Sequence, residues 1–373
     1  MSGLTVQTAE DTLRAELCTD EREFTALAPA WDRLYRNCGT ATPFQSHAWL
    51  HSWWTSYGTP GRLRLVLVRE GPELRAAAPL MRAGGPLPRL VPLGGPISDY
   101  GDVLLDDDHA DHAATALTQT LWTAARTTLI DIREARPGSA VEQLYEHWRG
   151  PKLQLPDSVC LELPARPLNE LLTRMPTSRA RRVESKLRKL TELGIEHRFV
   201  RPEEVASTVR TMLDLHRLQW QHRKVTPEHL KPRFHEHLSR ALGPLVRSGD
   251  AVVTEFRAGP DVLAVDVTLL ARHLAGNYLY GAHPRLRERK ADIATMLLHA
   301  CADHVSRDDR QVLSLLRGTE PYKFRWRPYA VVNQRLLLAR RRTAPLLSAV
   351  ACEAYGRNRA RELVRRRKDP LTN

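Results

Sequence analysis

The chain has 373 residues, of which 42% are hydrophobic and 27% are charged, and its formal net charge is +13. This composition excludes a disordered protein, because disordered chains are poorer in apolar residues, and the length favours two domains. Apolar runs stay shorter than the roughly 18 residues of a membrane helix, and the first residues lack the layout of a secretion signal. We therefore expect no membrane span and a cytoplasmic location.

The first half of the chain predicts a mixture of helices and strands. After a short strand, apolar residues at helical spacing predict one helix over residues 20–36 and a second at about 46–57. Two extended runs, 63–68 and 74–81, flank the turn sequence Glu-Gly-Pro, which is typical of a hairpin. The remaining predicted elements are strands at 90–93, 103–105 and 129–132 and a helix at 111–126.

The second half repeats this order. Pro202, Glu203 and Glu204 are expected to open a helix, because Pro suits the first helical position and acidic residues suit the helix dipole. Thr226 is expected to cap the next helix. The elements predicted beyond it are a hairpin over 251–256 and 262–270, a strand at 275–280, a helix at about 292–305 and a strand at 312–316.

This repetition predicts an α/β (α+β) fold in which two similar domains follow each other. Each domain is expected to be a mixed, mostly antiparallel sheet flanked by helices. The predicted divisions are 1–165, 166–340 and a basic C-terminal helix or tail at 341–373. In that tail the apolar residues at near-helical spacing are expected to face the protein body: Leu346, Leu347, Val350, Ala354 and Tyr355.

The excess positive charge is concentrated in two segments. Residues 178–190 hold six Lys or Arg against one Glu, and residues 340–368 hold ten against two. Such a local excess is the electrostatic footprint expected for a phosphate-bearing partner such as coenzyme A or RNA. A solvated basic helix face explains it equally well.

Cysteine and histidine patterns argue against a metal site. The five cysteines are scattered and form no CxxC pair, so neither a disulfide framework nor a zinc site is predicted. The histidines between His216 and His237 are spread over two helical segments, and His235 and His237 are only two positions apart, off a common face. We predict no metal, and no Ser/His/Asp order indicates a covalent acyl-enzyme.

Four segments carry a family resemblance. They are TPFQSHAWLHSWW at 42–54, PISDYGDVLLD at 96–106, SRARRVESKLRKL at 178–190 and LRGTEPYKFRWRP at 316–328. In this order and spacing they resemble the CelD/BcsL-like branch of the GNAT superfamily, which is related to the Fem-type aminoacyltransferases. The last segment is the most specific, and the resemblance extends from about residue 20 to about residue 335.

The resemblance implies a tandem GNAT fold and the transfer of an acyl group to an amine. The acceptor would be a small molecule or a cell-surface precursor. The donor would be acetyl-CoA or another acyl-CoA, or, as in Fem-type relatives, an aminoacyl-tRNA that uses the basic segments 178–190 and 340–368. A third possibility is a catalytically idle binding protein that keeps the fold.

The expected donor site follows Tyr280. GNAT enzymes commonly cradle the donor pyrophosphate with a glycine-rich loop before a helix, whereas this segment has one glycine, Gly281, and a basic cluster. Guanidinium groups and the free amides of a helix N-terminus would compensate. The predicted donor-binding residues are Arg285, Arg287, Arg289, Lys290 and Asp292.

The last segment supplies the predicted catalytic residues. The ammonium of Lys323 would stabilise the oxyanion that forms when an amine attacks the donor carbonyl. Glu320 would take the proton of that amine. Without the resemblance, a Lys and a Glu three apart in a loop are more often a surface pair. Arg325 and Trp326 would hold the loop in place.

Other positions are predicted to bind substrate. Asp266 interrupts the apolar run 262–270, so it either faces the acceptor amine or pairs with an arginine. Asp99 and Tyr100 would line an acceptor pocket between the domains, although an ordinary turn before a strand also explains them. The full predicted set is Asp266, Tyr280, Asp99, Tyr100, Tyr322 and Arg325.

Overall fold

The computed structural model describes residues 13–219, 221, 226–306 and 310–368, with side chains up to residue 356 and at residue 359 in the last helix. Within these ranges the chain forms thirteen strands, which all belong to one sheet. The strands are β1 (Arg14–Cys18), β2 (Leu63–Glu70), β3 (Glu73–Arg82), β4 (Arg89–Pro92), β5 (Leu104–Leu105), β6 (Leu129–Ala135), β7 (Lys152–Pro164), β8 (Glu196–Phe199), β9 (Ala251–Ala258), β10 (Asp261–Leu270), β11 (Leu274–Ala282), β12 (Val312–Arg317) and β13 (Tyr329–Leu338).

Helices cover both faces of the sheet. They are α1 (Glu21–Ala26), α2 (Ala28–Asn37), α3 (His47–Tyr57), α4 (Ala110–Ala124), α5 (Val141–His147), α6 (Leu168–Thr173), α7 (Thr177–Glu192), α8 (Val205–Gln219), α9 (Pro232–Arg247), α10 (Arg285–Glu288), α11 (Ile293–Val305), α12 (Pro321–Phe324) and α13 (Ala344–Lys368). None of the helices within the described ranges is both long and apolar enough to cross a membrane.

The strand order shows two similar units. It runs β1-β2-β3-β4-β6-β13-β7-β12-β11-β10-β9-β8, with β5 beside β3. In each half, four consecutive strands of this order pair antiparallel, and the fourth then pairs parallel with a fifth, β4 with β6 and β11 with β12. The predicted fold class, two similar units with mostly antiparallel sheets flanked by helices, is confirmed.

The two units exchange their last strands. Strand β7 follows the first unit but pairs with β12 of the second, and β13 ends the second unit but pairs with β6 of the first. Strands β7 and β13 also pair with each other, from Tyr329 opposite Glu162 to Leu338 opposite Lys152. Each unit therefore completes the sheet of the other. The division at residues 165 and 340 stays a prediction.

One predicted helix is divided, and two predicted helix starts are wrong. The helix predicted over 20–36 divides at Leu27, because Pro29 has no amide hydrogen with which to continue the ladder. Helix α8 begins at Val205 and not at Pro202; Glu204 instead turns back to bind the guanidinium of Arg198. Thr226 precedes a 3₁₀ turn, Pro227–Leu230, without a side-chain capping bond, and α9 begins only at Pro232.

Helix α13 packs through one apolar stripe on the middle strands of the sheet, β6, β7 and β13. Val350 is fully buried, and Leu346, Leu347 and Ala354 pack against the same cluster, which includes Leu337. Tyr355 is 63% exposed, so its predicted inward position is wrong. It lies five positions after Val350, and five steps of a helix turn it about 140° away from the buried stripe.

His237 makes folding sensitive to acid. It is buried between α3 and α9, with Nδ1 3.2 Å from Ser52 Oγ and its ring edge-on to Trp49 at 4.5 Å. Burial lowers the pKa of His237 to about 3, whereas an unfolded histidine titrates near ~6.5. Below about pH 6.5 this histidine becomes protonated in the unfolded chain, whereas in the folded chain it stays neutral until about pH 3. Stability is therefore lost as pH falls from about 6.5 toward 3.

We expect the titration of His237 alone to lower the free energy of unfolding by about 2 kcal/mol when the pH falls from 6.5 to 4.5. Urea unfolding of the wild type and of His237→Gln at both pH values measures this difference. His112→Gln, on the exposed side of α4, is the control. An equal pH slope in the wild type and in His237→Gln would contradict the assignment.

Candidate functional site

The candidate site lies where β11 and β12 separate. These parallel strands pair only from Leu274–Gly276 to Val312–Ser314. Beyond that point β11 carries one extra residue, Tyr278, against β10. Strand β12 shifts its register against β7, and Leu316 adopts a φ of 54° there. Bulges of this kind bend a strand, and a leucine at positive φ is strained, so both strands are locally distorted at the opening.

A cavity of about 720 Å³ fills this opening and is called the main cavity below. Its size matches that of ligand pockets in enzymes. Apolar side chains from α11, β12 and the last motif line one side: Leu297, Leu298, Leu315, Leu316 and Trp326. The polar lining comes from the loop after β4, from α8, from the turn that follows it, from β11 and from the last motif: Asp99, His216, Thr226, Glu228, His229, Asn277, Tyr278, Tyr280, Arg317, Glu320, Tyr322 and Lys323.

Helix α8 lies over the far part of the open edge of β11. The carbonyl of Tyr280 accepts a hydrogen bond from His216 Nδ1 at 2.8 Å, and the amide of Ala282 donates to Gln219 Oε1 at 3.1 Å. A Cβ on Gly281 would lie 2.0 Å from the carbonyl oxygen of Met212 in α8, so only glycine permits this approach. In a strand the N–H and C=O of one residue point the same way, so the N–H of Tyr280 also points toward the opening.

The two predicted catalytic residues lie together at the main cavity. Lys323 is buried, and its ammonium donates to the carbonyl oxygens of Arg317 at 2.9 Å and Gly318 at 3.4 Å. Its Nζ also lies 2.9 Å from Glu320 Oε2, and the Glu320 side chain is 51% exposed. The ammonium therefore has two fixed carbonyl partners and one carboxylate partner on an exposed, movable side chain.

A buried ion-pair network connects the two units at the cavity wall. Arg317 lines the main cavity and binds Asp99 through Nε, while its Nη1 lies 3.2 Å from Glu134 Oε1. Tyr100 is buried and bonds Ser314 Oγ at 2.9 Å through its hydroxyl. Of the two predicted first-half residues, Asp99 therefore faces the main cavity, while Tyr100 lies outside its lining.

Asp266 is buried beneath the main cavity. Both of its carboxylate oxygens accept from Asn277 Nδ2, at 2.8 and 2.9 Å, and Thr268 Oγ1 lies 3.2 Å from Oδ2. Burial raises the pKa of Asp266 to about 7, against the lowering effect of these hydrogen bonds. The alternative of a pair with an arginine is wrong, since its partners are an amide and a hydroxyl. Asn277, and not Asp266, reaches the cavity lining.

A smaller pocket of about 230 Å³, the side pocket, adjoins the start of α11. Asp292 caps this helix through Thr295 N at 2.8 Å and pairs with Lys186 at 2.6 Å and Arg325 at 2.9 Å. Although burial opposes it, these two cations hold the pKa of Asp292 well below its ordinary value. Tyr280, Tyr322 and Ala294 line both the side pocket and the main cavity, so the two spaces adjoin.

Of the four cations predicted to bind the donor, one lines the side pocket and three do not. Arg287 belongs to its lining, whereas Arg285, Arg289 and Lys290 are exposed and lie outside it. Arg285 Nη1 lies 3.7 Å from Asp261 Oδ2, and Asp261 is not part of the pocket lining. The structure thus brings Arg287, Asp292 and Arg325 together and leaves the other three cations on the surrounding turn.

A basic groove of about 430 Å³ continues from Arg325. It lies between α7 and the last motif, and its lining is Arg179, Arg182, Val183, Lys186, Pro321, Phe324 and Arg325. The described part of the chain offers neither Arg179 nor Arg182 a carboxylate partner. The basic segment 178–190 therefore borders the most specific motif.

Sequence reasoning missed a histidine pair at the main cavity. His216 Nε2 lies 3.4 Å from His229 Nδ1, and the ring of His229 stacks on Phe234 at 4.7 Å. The two histidines come from α8 and from the following 3₁₀ turn, so spacing along one helix gave no signal. Among the described residues, no group of three or more His, Cys, Asp or Glu could hold a metal ion.

A family model matches part of the second half of the chain. The family model described as an acetyltransferase (GNAT) domain matches residues 177–324. No curated protein matches the chain. The predicted kinship with the GNAT superfamily is therefore confirmed for this domain, which contains most of the main cavity's lining.

Solved structures share the fold at low sequence identity. FemX is 10% identical, with a TM-score of 0.58 over 87% of this chain and 96% of its own. The C-terminal domain (DUF2156) of a putative lysylphosphatidylglycerol synthetase from Agrobacterium fabrum and L-PGS from Bacillus licheniformis are each 10% identical, with TM-scores of 0.57 over 89% of this chain and 96% of theirs. These three structures thus share the overall fold of this chain.

Proposed function

We propose that this chain, which carries a GNAT domain over residues 177–324, is an N-acyltransferase. It would transfer an acetyl or other acyl group from acyl-CoA to an amine of a small molecule or a cell-surface precursor. The observation that carries the proposal is the 720 Å³ cavity at the separation of β11 and β12, which is lined by the buried Lys323 and by Tyr280. The cytoplasmic location stays a prediction.

The chemistry required is addition followed by elimination. The lone pair of the amine attacks the thioester carbonyl carbon, and negative charge develops on the carbonyl oxygen. The N–H of Tyr280 and the ammonium of Lys323 are the donors proposed to stabilise that oxygen. The carbon–sulfur bond then breaks, and the thiolate leaves with the proton that the amine has lost.

The Lys323 ammonium would become available for this role when the Glu320 carboxylate moves away from it. The Glu320 side chain is half exposed, and an exposed ion pair contributes only about 0–1 kcal/mol. A developing oxyanion at Nζ would therefore displace the carboxylate, while the two backbone carbonyls keep the ammonium in position. The displaced Glu320 is the base predicted from the sequence.

The acceptor would lie against the wall supplied by the first unit. Asp99 lines the main cavity and its carboxylate is bound by Arg317, and the Tyr100 hydroxyl bonds Ser314 of β12 and so fixes this loop to that strand. Asp266 would act through Asn277, whose amide it orients.

The donor would enter through the side pocket. Its phosphates would meet Arg287, Arg325 and the first amides of α11, and its acyl end would pass Tyr280 and Tyr322 into the main cavity.

We expect Arg287→Ala to raise the donor KM about tenfold while kcat stays within twofold, because a charge that binds phosphate equally in ground and transition states contributes uniform binding. Arg289→Ala, two residues away on the exposed turn, is the matched comparison and should change the donor KM less. Steady-state kinetics with varied donor measure both. A fall in kcat at unchanged KM would contradict the assignment.

An aminoacyl-tRNA donor is the second candidate. The basic groove favours it, because Arg179 and Arg182 supply cations next to the last motif that coenzyme A, with few phosphates, does not require. The fold shared with FemX and L-PGS is compatible with it. The basic segment 340–368 would add further contacts.

Donor-induced shifts of melting temperature at about 50 and 200 mM salt separate the candidates. Stabilisation by acetyl-CoA that depends little on salt supports the leading proposal. Stabilisation by charged tRNA that falls steeply with salt supports the second, since many phosphate contacts release many counterions. Binding of either donor without turnover toward any amine would indicate an idle binding protein.

We expect removal of residues 357–373 to leave acyl-CoA-dependent turnover within twofold of the full chain. Among the side chains that the structure describes in α13, those that pack on the apolar cluster are Leu346, Leu347, Val350 and Ala354, and the truncation keeps all four. Turnover assays on the truncated and full chains measure this. A loss confined to the tRNA-bound donor would instead favour the second candidate.

A further inference from the structure

We propose that His229 accepts the proton of the attacking amine and that His216 holds His229 in the tautomer that can do so. The inference rests on the proposed acyl transfer and deepens it. It assigns the base to a histidine pair that lines the main cavity, in place of Glu320.

The hydrogen bonds determine which nitrogen carries each proton. The carbonyl of Tyr280 can only accept, so His216 Nδ1, 2.8 Å away, must be the protonated nitrogen of that ring. In a neutral imidazole the other nitrogen is then an acceptor, which makes His216 Nε2 accept from His229 Nδ1 at 3.4 Å. His229 Nε2 is left with its lone pair.

The surroundings hold the His229 ring in one orientation. Its face stacks on Phe234, with ring centroids 4.7 Å apart and planes 19° apart. His235 Nε2 lies 3.3 Å from the backbone carbonyl of His229 and so leaves its ring nitrogens alone. The adjacent Glu228 is bound by Arg233 at 2.6 Å and Lys231 at 2.9 Å. The neighbouring carboxylate is therefore already neutralised.

The protonation state suits a base. Burial, aided by the nearby His216, lowers the pKa of His229 to about 4, against the opposing effect of Glu228. Burial also lowers the pKa of His216. Both rings are therefore neutral at pH 7. A weak base is sufficient here, because the amine N–H becomes acidic as the new carbon–nitrogen bond forms.

The proton balance of the step is complete. The amine gives its lone pair to the carbonyl carbon and its proton to His229 Nε2. The imidazolium donates through Nδ1 to His216, which donates in turn to the Tyr280 carbonyl. Collapse of the intermediate forms the amide and expels the thiolate, which takes the proton from Nε2. His229 returns to its neutral tautomer.

Glu320 is less suited to the same task. Its side chain is half exposed and paired with Lys323. To accept a proton, the Glu320 carboxylate would first have to leave the Lys323 ammonium. His229 needs no such rearrangement. The two assignments differ in what substitution does: Glu320→Gln leaves the histidine base intact, whereas His229→Asn removes it.

The test is His229→Asn, whose amide nitrogen can still donate to His216 but offers no basic site. We expect kcat to fall about 100- to 1000-fold, with donor KM and melting temperature unchanged and with at least tenfold recovery in imidazole buffer. Glu320→Gln should keep more activity than His229→Asn. His299→Asn, paired with Asp303 on the other side of α11, is the control and should keep full activity. Activity of His229→Asn within threefold of wild type, or a loss that imidazole does not restore, would overturn the proposal.

A second measurement does not depend on turnover. Nitrogen-15 spectra of the histidine rings in the wild type should show both His216 and His229 protonated at Nδ1 and neutral at pH 6. A proton on His229 Nε2 would overturn the proposal even if no donor is active. Failure of all acyl donors with the expected tautomers would instead count against the proposed function alone.

Discussion

Lys323→Met is expected to lower turnover by roughly 100- to 1000-fold while donor binding is kept. Charge develops on the carbonyl oxygen during amine attack, and a fixed positive donor in a water-poor cavity lowers that barrier by a few kcal/mol. The buried ammonium is held by the carbonyls of Arg317 and Gly318, so it is already in place before the substrate arrives. Single-turnover rates and donor affinity, measured on one preparation, give both quantities.

Lys323→Arg is the companion variant. It should recover little activity, since a planar guanidinium does not fit the space of a compact ammonium between two carbonyls. The alternative is that Lys323 only anchors the segment 317–318 through these bonds. In that case both variants would lose melting temperature and activity together. Normal stability with collapsed turnover supports catalysis, and unchanged turnover would remove Lys323 from the mechanism.

Gly281→Ala is expected to destabilise the protein by about 3 kcal/mol or more. Overpacking usually costs ~1–3 kcal/mol, and here the new methyl group would lie 2.0 Å from the Met212 carbonyl and 2.6 Å from the His216 amide. Both are backbone atoms of α8 and cannot rotate away. The helix would have to lift from β11, which also separates His216 from the Tyr280 carbonyl.

Gly243→Ala is the matched control with the opposite expected sign. It lies within α9, and a Cβ there meets nothing within 4 Å. Alanine should therefore stabilise the helix by about 0.5–1 kcal/mol. Urea unfolding of both variants measures the difference. Equal stability of Gly281→Ala and wild type would show that α8 is not held close to β11.

Local patterns predicted the hairpins but not the centre of the sheet. The pairs β2–β3 and β9–β10 were predicted, because alternating apolar residues and a short turn lie close together in sequence. Strands β7 and β13 were not predicted. Their partners lie at least 148 residues away in the chain, as from Pro164 to Val312, so no neighbouring residue signals their pairing. Pro156 within β7 also argues against a strand there, because proline lacks the amide hydrogen that a central strand needs.

The part of the site that comes from the single segment 316–328 was predictable from the sequence. Lys323, Glu320 and Tyr322 share the turn that follows β12, so their common position at the main cavity follows from the sequence. The role of Arg287 among its basic neighbours depends on how the turn before α11 folds. The contact between His216 and His229 depends on tertiary packing across two segments, and no periodicity reveals it.

The most direct test of the central claim is transfer of a labelled acetyl group from acetyl-CoA to a panel of amines, followed by mass spectrometry. The wild type should form a labelled amide. Ala294→Trp should abolish it while remaining folded, because Ala294 lines both the side pocket and the main cavity and an indole there would block the path between them. Label transfer that Ala294→Trp leaves unchanged would contradict acyl transfer in this cavity.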